Sequence, residues 1–145
     1  FKVDTAQTAF EGCKTAGEAT FTVDTISKVY QGNGNGGVRA NNPAGLIKFS
    51  TSSAKGSLKL TLSLDVSKVV LNCHSFYGYS TDYPTNTTNF VTVNSQTPVA
   101  LPYNETGAGE DVTFSVTGKE ITIECCNETN TGAGRGIFYT MTFIA

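Results

Sequence analysis

The chain has no tryptophan, one histidine and one methionine. Charge is also scarce. Asp, Glu, Lys and Arg make up 15% of the 145 residues, against roughly a quarter in ordinary soluble domains. The net charge is −2, with no basic block. Nucleic-acid binding needs a positive footprint that is missing here, and a polybasic membrane patch is missing for the same reason. No apolar run approaches the ~20 residues of a membrane span. There is no Gly-x-Ser-x-Gly elbow for a serine nucleophile and no Cys-x-x-Cys pair for zinc. The glycine run Gly32–Gly37 lacks the Gly-Lys-Ser/Thr of a phosphate loop and the spacing of a dinucleotide fingerprint. It reads as a loop. These absences remove most cofactor-dependent classes, and no cofactor or metal is expected.

What is present is β-pattern. Leu58, Leu60, Leu62 and Leu64 alternate with Lys59, Thr61, Ser63 and Asp65, which places the leucines on one buried face. A turn at Asp65–Lys68 is expected to lead into a second strand, Val69–His74. Glu18–Ile26 alternates with Ala19, Phe21 and Val23 on one face, and Leu46–Ser50 is a further short strand. Phe90–Val93 and Val99–Leu101 flank a hairpin at Asn94–Thr97, and Pro98 and Pro102 push that pair to a sheet edge because proline cannot donate a ladder hydrogen bond. Val112, Phe114 and Val116 alternate with polar residues. Gly118-Lys119 is then expected to reverse the chain into Ile121–Cys126. Ile137–Ile144 is the last strand. Phe1–Gly17 is irregular apart from a helical turn at Ala6–Phe10, and the chain opens on Phe1 rather than Met, as a mature or trimmed chain would.

Eight or nine short strands without a convincing helix or a repeat predict a single all-β domain over residues 1–145. The expected architecture is an antiparallel β-sandwich of jelly-roll type, with an immunoglobulin-like sandwich as the alternative. The latter lacks its buried tryptophan.

From Leu46 to Phe143 the order of elements resembles an extracellular jelly-roll module of the galactose-binding-like type, as found in surface and secreted proteins of low-GC Gram-positive bacteria. The matching pieces are LIKFSTSSAKGSLKLTL, KVVLNCHSFY, the Thr92-Val93-Asn94 hairpin, Ile121-Thr122-Ile123, and a terminal strand introduced by Arg135. Gly136 departs from the module's usual terminal pattern. The resemblance implies an accessory, adhesive or glycan-binding role and carries over no catalytic residue.

The four cysteines, Cys13, Cys73, Cys125 and Cys126, fit two disulfides and an oxidising compartment; buried free thiols are the alternative. Strand parity sets the expected pairing. Cys73 shares a face with Val69 and Leu71, and Cys125 with Ile121 and Ile123, so both face the core and pair. Cys126 lies on the outer face, where Cys13 reaches it and ties down the N-terminal segment. Three sequons, at Asn86, Asn104 and Asn127, fall in predicted loops and are candidate glycosylation sites.

A Ser–His–carboxylate triad would have to use His74 with Ser75 or Ser80; a partly exposed strand histidine is the simpler account. Glu110-Asp111 and Glu124 are the paired-carboxylate candidates for glycoside hydrolysis, and a solvated strand end explains the first pair. No catalytic residue is assigned, and the chain is expected not to be an enzyme. The best ligand candidate is the tyrosine cluster. Sugars stack their C–H faces on aromatic rings while polar neighbours bond the hydroxyls. Tyr77, Tyr79, Asp82, Tyr83 and Asn89 compose that patch. The leading expectation is a secreted, non-catalytic structural or adhesive sandwich, partnered by its own copies or by other surface proteins. The alternative is a carbohydrate-binding module using the tyrosine patch, with glycans as partners.

Overall fold

The computed structural model describes residues 2–3, 10–11, 20–32, 46–51, 53–76, 89–103, 108–132 and 134–145. Ten strands run through them: β1 (Lys2–Val3), β2 (Phe10–Glu11), β3 (Phe21–Ser27), β4 (Val29–Gly32), β5 (Leu46–Phe49), β6 (Gly56–Ser75), β7 (Phe90–Val93), β8 (Val99–Ala100), β9 (Glu110–Cys126) and β10 (Gly136–Ile144). β1 and β2 form a small antiparallel pair. The other eight strands form one antiparallel sheet, ordered β4-β5-β10-β6-β9-β7-β8, with β3 also on β6.

Two long strands make that single sheet into a sandwich. β6 has 20 residues and β9 has 17, and they pair from Gly56↔Cys125 to Cys73↔Glu110. Register shifts occur on both sides of Val66↔Gly118. Before the shift the buried residues of β6 are Leu58 and Leu60; after it they are Val69, Leu71 and Cys73. β9 does the same, from Val112, Phe114 and Val116 to Ile121, Ile123 and Cys125. In both strands the inward parity switches, as an inserted bulge residue requires. The bulge bends the strands, and the two halves of the sheet close on each other.

Each half recruits its own neighbours. The first half of β6 takes β3, and the second half takes β10, which in turn carries β5 and β4. The second half of β9 takes β7 and β8. Residues from both halves share one core that includes Phe49, Leu58, Val91, Ile123 and Phe138. Phe49 and Phe138 meet in it with ring centroids 4.7 Å apart. The chain crosses between halves at Lys28, which sits at φ 54° between β3 and β4. Its carbonyl accepts the Ser50 amide at 2.8 Å. Buried Ser50 then receives the Gly56 amide on its hydroxyl at 2.7 Å and donates to the Cys125 carbonyl at 3.1 Å.

The all-β antiparallel sandwich is therefore as expected, curled as in a jelly roll. β5 matches its expected strand. The hairpin at Asn94–Thr97 also forms: Asn94 and Ser95 both take positive φ, and the Gln96 amide bonds the Val93 carbonyl at 3.0 Å. β8, flanked by Pro98 and Pro102, is an edge strand as expected.

Several local expectations are corrected. Asp65–Lys68 does not turn the chain, and neither does Gly118-Lys119; each lies inside a continuous strand. Parity breaks in the sequence there because of a bulge, not a reversal. Leu64, expected inside, is 53% exposed, because it lies in the unpaired stretch between Thr61 and Val66. Of the loop expected at Gly32–Gly37, Gly32 instead ends β4 and the rest lies outside the described residues, as does most of the helical turn expected at Ala6–Phe10, whose Phe10 belongs to β2.

Candidate functional site

The outward face of the β4-β5-β10-β6 half carries the richest side-chain chemistry. Directly paired residues of antiparallel strands share a face. Tyr30 pairs with Lys48, Lys48 with Ile137, and Ile137 with His74, so these four form one row across four strands. Their inward neighbours Val29, Ile47, Phe49, Phe138 and Cys73 fill the core. Phe76 and Arg135, two residues beyond His74 and before Ile137, carry the same parity past the sheet end. The Phe76 amide bonds the Arg135 carbonyl at 3.0 Å and holds the two side by side.

Lys48 and Arg135 converge on the Phe76 ring. Lys48 Nζ lies 5.2 Å from the ring centroid of Phe76 and 5.2 Å from that of Tyr30. Arg135 Cζ lies 4.6 Å from the Phe76 centroid. These are cation–π distances. Phe76, Ile137 and half-buried Tyr139 pack as a small cluster separate from the main core. Tyr30, Lys48 and Arg135 are half-buried. Burial, and then the Arg135 charge, pull the Lys48 ammonium below its ordinary pKa; burial does the same to Arg135.

Behind the row a buried polar knot fixes its end. Asn89 donates through Nδ2 to Ser75 Oγ at 3.0 Å and accepts the Arg135 amide on Oδ1 at 2.9 Å. The Asn89 carbonyl accepts the Leu101 amide at 3.0 Å, and the Ser75 amide bonds the Pro102 carbonyl at 2.8 Å. Asn89, expected to contact ligand, is instead 3% exposed with its amide group committed to holding Ser75 and Arg135. Tyr77, Tyr79, Asp82 and Tyr83 lie outside the described residues, as do Asn86 and Asn104.

His74 faces away from the core, as parity demands, but it is not the partly exposed histidine expected. It is 6% exposed, with Nδ1 against the Ser75 carbonyl and its ring 5.6 Å from that of Tyr103. The Ser75 hydroxyl is engaged by Asn89. Of the carboxylates weighed for hydrolysis, Glu124 pairs with Lys55 at 3.0 Å and Asp111 accepts from Asn72 at 2.7 Å. Among the described residues no group of His, Cys, Asp and Glu is arranged to hold a metal ion.

The cysteines require a correction. Cys73 and Cys125 are both buried in the core, as expected, yet they are free thiols rather than a disulfide, and so is Cys126. Cys126 was expected on an outer face; it is fully buried, opposite Phe90 of β7. The backbone at Gly134 passes so close to the Cys126 carbonyl that no side chain fits between them. The last residue of a strand is not open to solvent when a following loop folds back over it. Cys13 lies outside the described residues, and the Cys13–Cys126 bridge with it. Asn127 folds its side chain into its own turn, Oδ1 accepting the Thr131 amide at 2.8 Å and the Thr129 hydroxyl at 3.1 Å.

Tyr30, Lys48, Phe76 and Arg135 were not singled out as a ligand group in the sequence. Their shared parity was visible in it, but the register that aligns four strands was not.

No protein-family model matches the chain, and no curated protein matches it. A solved structure does: the family 32 CBM from C. perfringens NanJ in complex with galactose. The identity is 17%, the TM-score 0.34, and the match covers 84% of this chain and 94% of that one. The similarity is distant, and no residue of this chain takes a role from it.

Proposed function

We propose that the protein is a carbohydrate-binding module, with a binding face on the outer row where half-buried Tyr30, Lys48 and Arg135 offer the contacts and Phe76, itself buried, supports the two cations. One observation carries this reading: two cationic side chains converge on aromatic rings along a single outward row. Aromatic faces stack against the C–H faces of sugar rings, and charged donors bond the hydroxyls around them. Tyr77, Tyr79, Asp82 and Tyr83 follow Phe76 in the chain, and we include them as contributors to the same face. Asn89 is a positioning residue in this reading. The role is binding without turnover, at a cell surface or in a secreted protein. The free thiols take away one support for that location, but glycan recognition does not depend on them.

No specific observation favours a structural subunit. Among the described residues the large exposed apolar side chains, Leu64, Val99, Tyr103 and Ile144, come from three stretches of the chain, on β6, at and after β8, and on β10.

Retention of the whole chain on a panel of immobilised polysaccharides tests the reading. Tyr30→Ala, Tyr79→Ala and Tyr83→Ala should each reduce retention while the thermal unfolding profile stays cooperative. Absence of retention on every glycan, or retention indifferent to all three changes, rejects it.

A further inference from the structure

We infer that the glycan is a linear chain lying across the strands, stacked on Tyr30 at one end of the outer row and on Tyr103 at the other. This rests on the carbohydrate-binding reading and narrows it from a single sugar ring to an extended oligosaccharide.

Tyr103 closes the row opposite Tyr30. Backbone amides alternate in direction along a strand. The Phe76 amide points toward the β10 side, where it bonds the Arg135 carbonyl at 3.0 Å. The Ser75 amide, one residue earlier, points the other way, and there it bonds the Pro102 carbonyl at 2.8 Å. Pro102 and Tyr103 therefore lie on the side of β6 away from β10. The Tyr103 ring sits on the outward face, 5.6 Å from the ring of His74 and tilted 48° to it. The row then runs Tyr30, Lys48, Ile137, His74, Tyr103, with one residue from each adjacent segment.

The surface of this row is uneven. Ile137 packs with Phe76 and Tyr139 and is 1% exposed, and His74 is 6% exposed, so the middle of the row offers no ring face to a ligand. Tyr103 is 38% exposed and Tyr30 half-buried. Among the described residues of the row, accessible aromatic surface is therefore at its two ends. Neighbouring strands lie about 4.8 Å apart, which separates the two tyrosines by about 20 Å along the row. Rings in stacking contact have centroids only about 4.5–7 Å apart. One sugar ring cannot meet both tyrosines, and a chain of several can. Lys48, beside Tyr30, supplies ammonium donors to hydroxyls along the way. Two stacked contacts on one ligand hold it more tightly than either alone, because the second forms within the complex.

The test is a binding titration of the intact chain with cello-, xylo-, galacto- and chito-oligosaccharide ladders, each from disaccharide to hexasaccharide. Where the chain is retained on a different polysaccharide, size-fractionated fragments of that polysaccharide take the place of the ladders. A site for one ring gains from a longer chain only through the number of equivalent rings, about threefold over this range, whereas linked contacts gain far more. The expected result is a gain of about thirtyfold or more from disaccharide to hexasaccharide on at least one ladder. Tyr30→Ala and Tyr103→Ala should each bring that gain down to about threefold in protein that still unfolds cooperatively. Val99→Ala, an exposed apolar change near Tyr103 in sequence but outside the row, should leave the gain unchanged. If Tyr103→Ala does not fold, Tyr103→Leu, which keeps apolar bulk without the flat ring, takes its place. A wild-type gain below about thirtyfold overturns the inference and leaves the carbohydrate reading standing, and so does a gain that survives either tyrosine change. Binding to no glycan at all removes both.

Discussion

Val66 of β6 faces Gly118 of β9 at the point where both long strands change register. Val66 is buried, and Gly118 takes a φ of 103°. Neither strand reverses there. Both bend together, and the bend lets one sheet serve as both layers of the sandwich. The outer row of Tyr30, Lys48, Ile137 and His74 exists because β10, β5 and β4 attach to the half of β6 beyond this bend.

Gly118→Ala isolates the backbone contribution of the bend. A Cβ at this position meets nothing within 4 Å, so no packing clash accompanies the change. The cost is the positive φ alone, about 1–3 kcal/mol. Urea denaturation should show a lower midpoint with an unchanged slope. An unchanged midpoint would mean that the bend does not require this conformation.

Gly136→Ala tests the contact between the two sheet halves. The added carbon would lie 2.7 Å from Leu101 Cδ1 and 2.9 Å from Cys125 Sγ. Overpacking of this kind costs about 1–3 kcal/mol. Leu101→Val in the same chain should recover part of the loss, giving a non-additive double mutant. Strict additivity would show that Leu101 does not confine the site.

Asn89→Ala leaves the Ser75 hydroxyl without its donor and the Arg135 amide without its acceptor. Leaving buried polar groups unsatisfied costs about 1–3 kcal/mol each. Because Asn89 holds the segment that bears Arg135, glycan affinity should also fall in protein that is still folded. Loss of stability with unchanged affinity would detach Asn89 from the binding face.

The thiols give a pH prediction. Burial first, then Asp111 and Glu110, push Cys73 up to about 12, and burial raises Cys125 well above its ordinary range. A folded pKa above the unfolded value gives stability that is complete below the unfolded pKa, near 8.5. That stability is lost as pH rises through the folded value. Between about pH 9 and 12 stability should therefore fall, with a limiting slope of about 1.4 kcal/mol per pH unit for each such thiol. A Cys73→Ala variant, compared with wild type across that window, should show a shallower fall. Thiol-specific labelling at pH 8 should be slow for Cys73, Cys125 and Cys126 in folded protein and complete in denaturant. Cysteines that resist labelling even in denaturant without reductant would establish a disulfide that the structure does not have.

By itself the sequence determined the facing of almost every residue on the long strands. Leu58 and Leu60, then Val69, Leu71 and Cys73 on β6, and Val112, Phe114 and Val116, then Ile121, Ile123 and Cys125 on β9 point inward as their alternation predicts, because side-chain direction on a strand is a local, period-two property. It also located the β7-β8 hairpin, whose turn residues act over four positions. Tertiary structure alone decided the rest. Whether a break in parity is a turn or a bulge depends on whether the partner strand bends with it, and Val66 and Gly118 are 52 residues apart in sequence and meet only in the folded sheet. His74 lies against the ring of Tyr103 and Cys126 under the loop that folds back at Gly134, and alternation within a strand does not record such a cover. Tyr30, Lys48, Phe76 and Arg135 form one face because registers over four strands bring them together. Register is a sum of non-local pairings, and alternation within any one strand does not contain it.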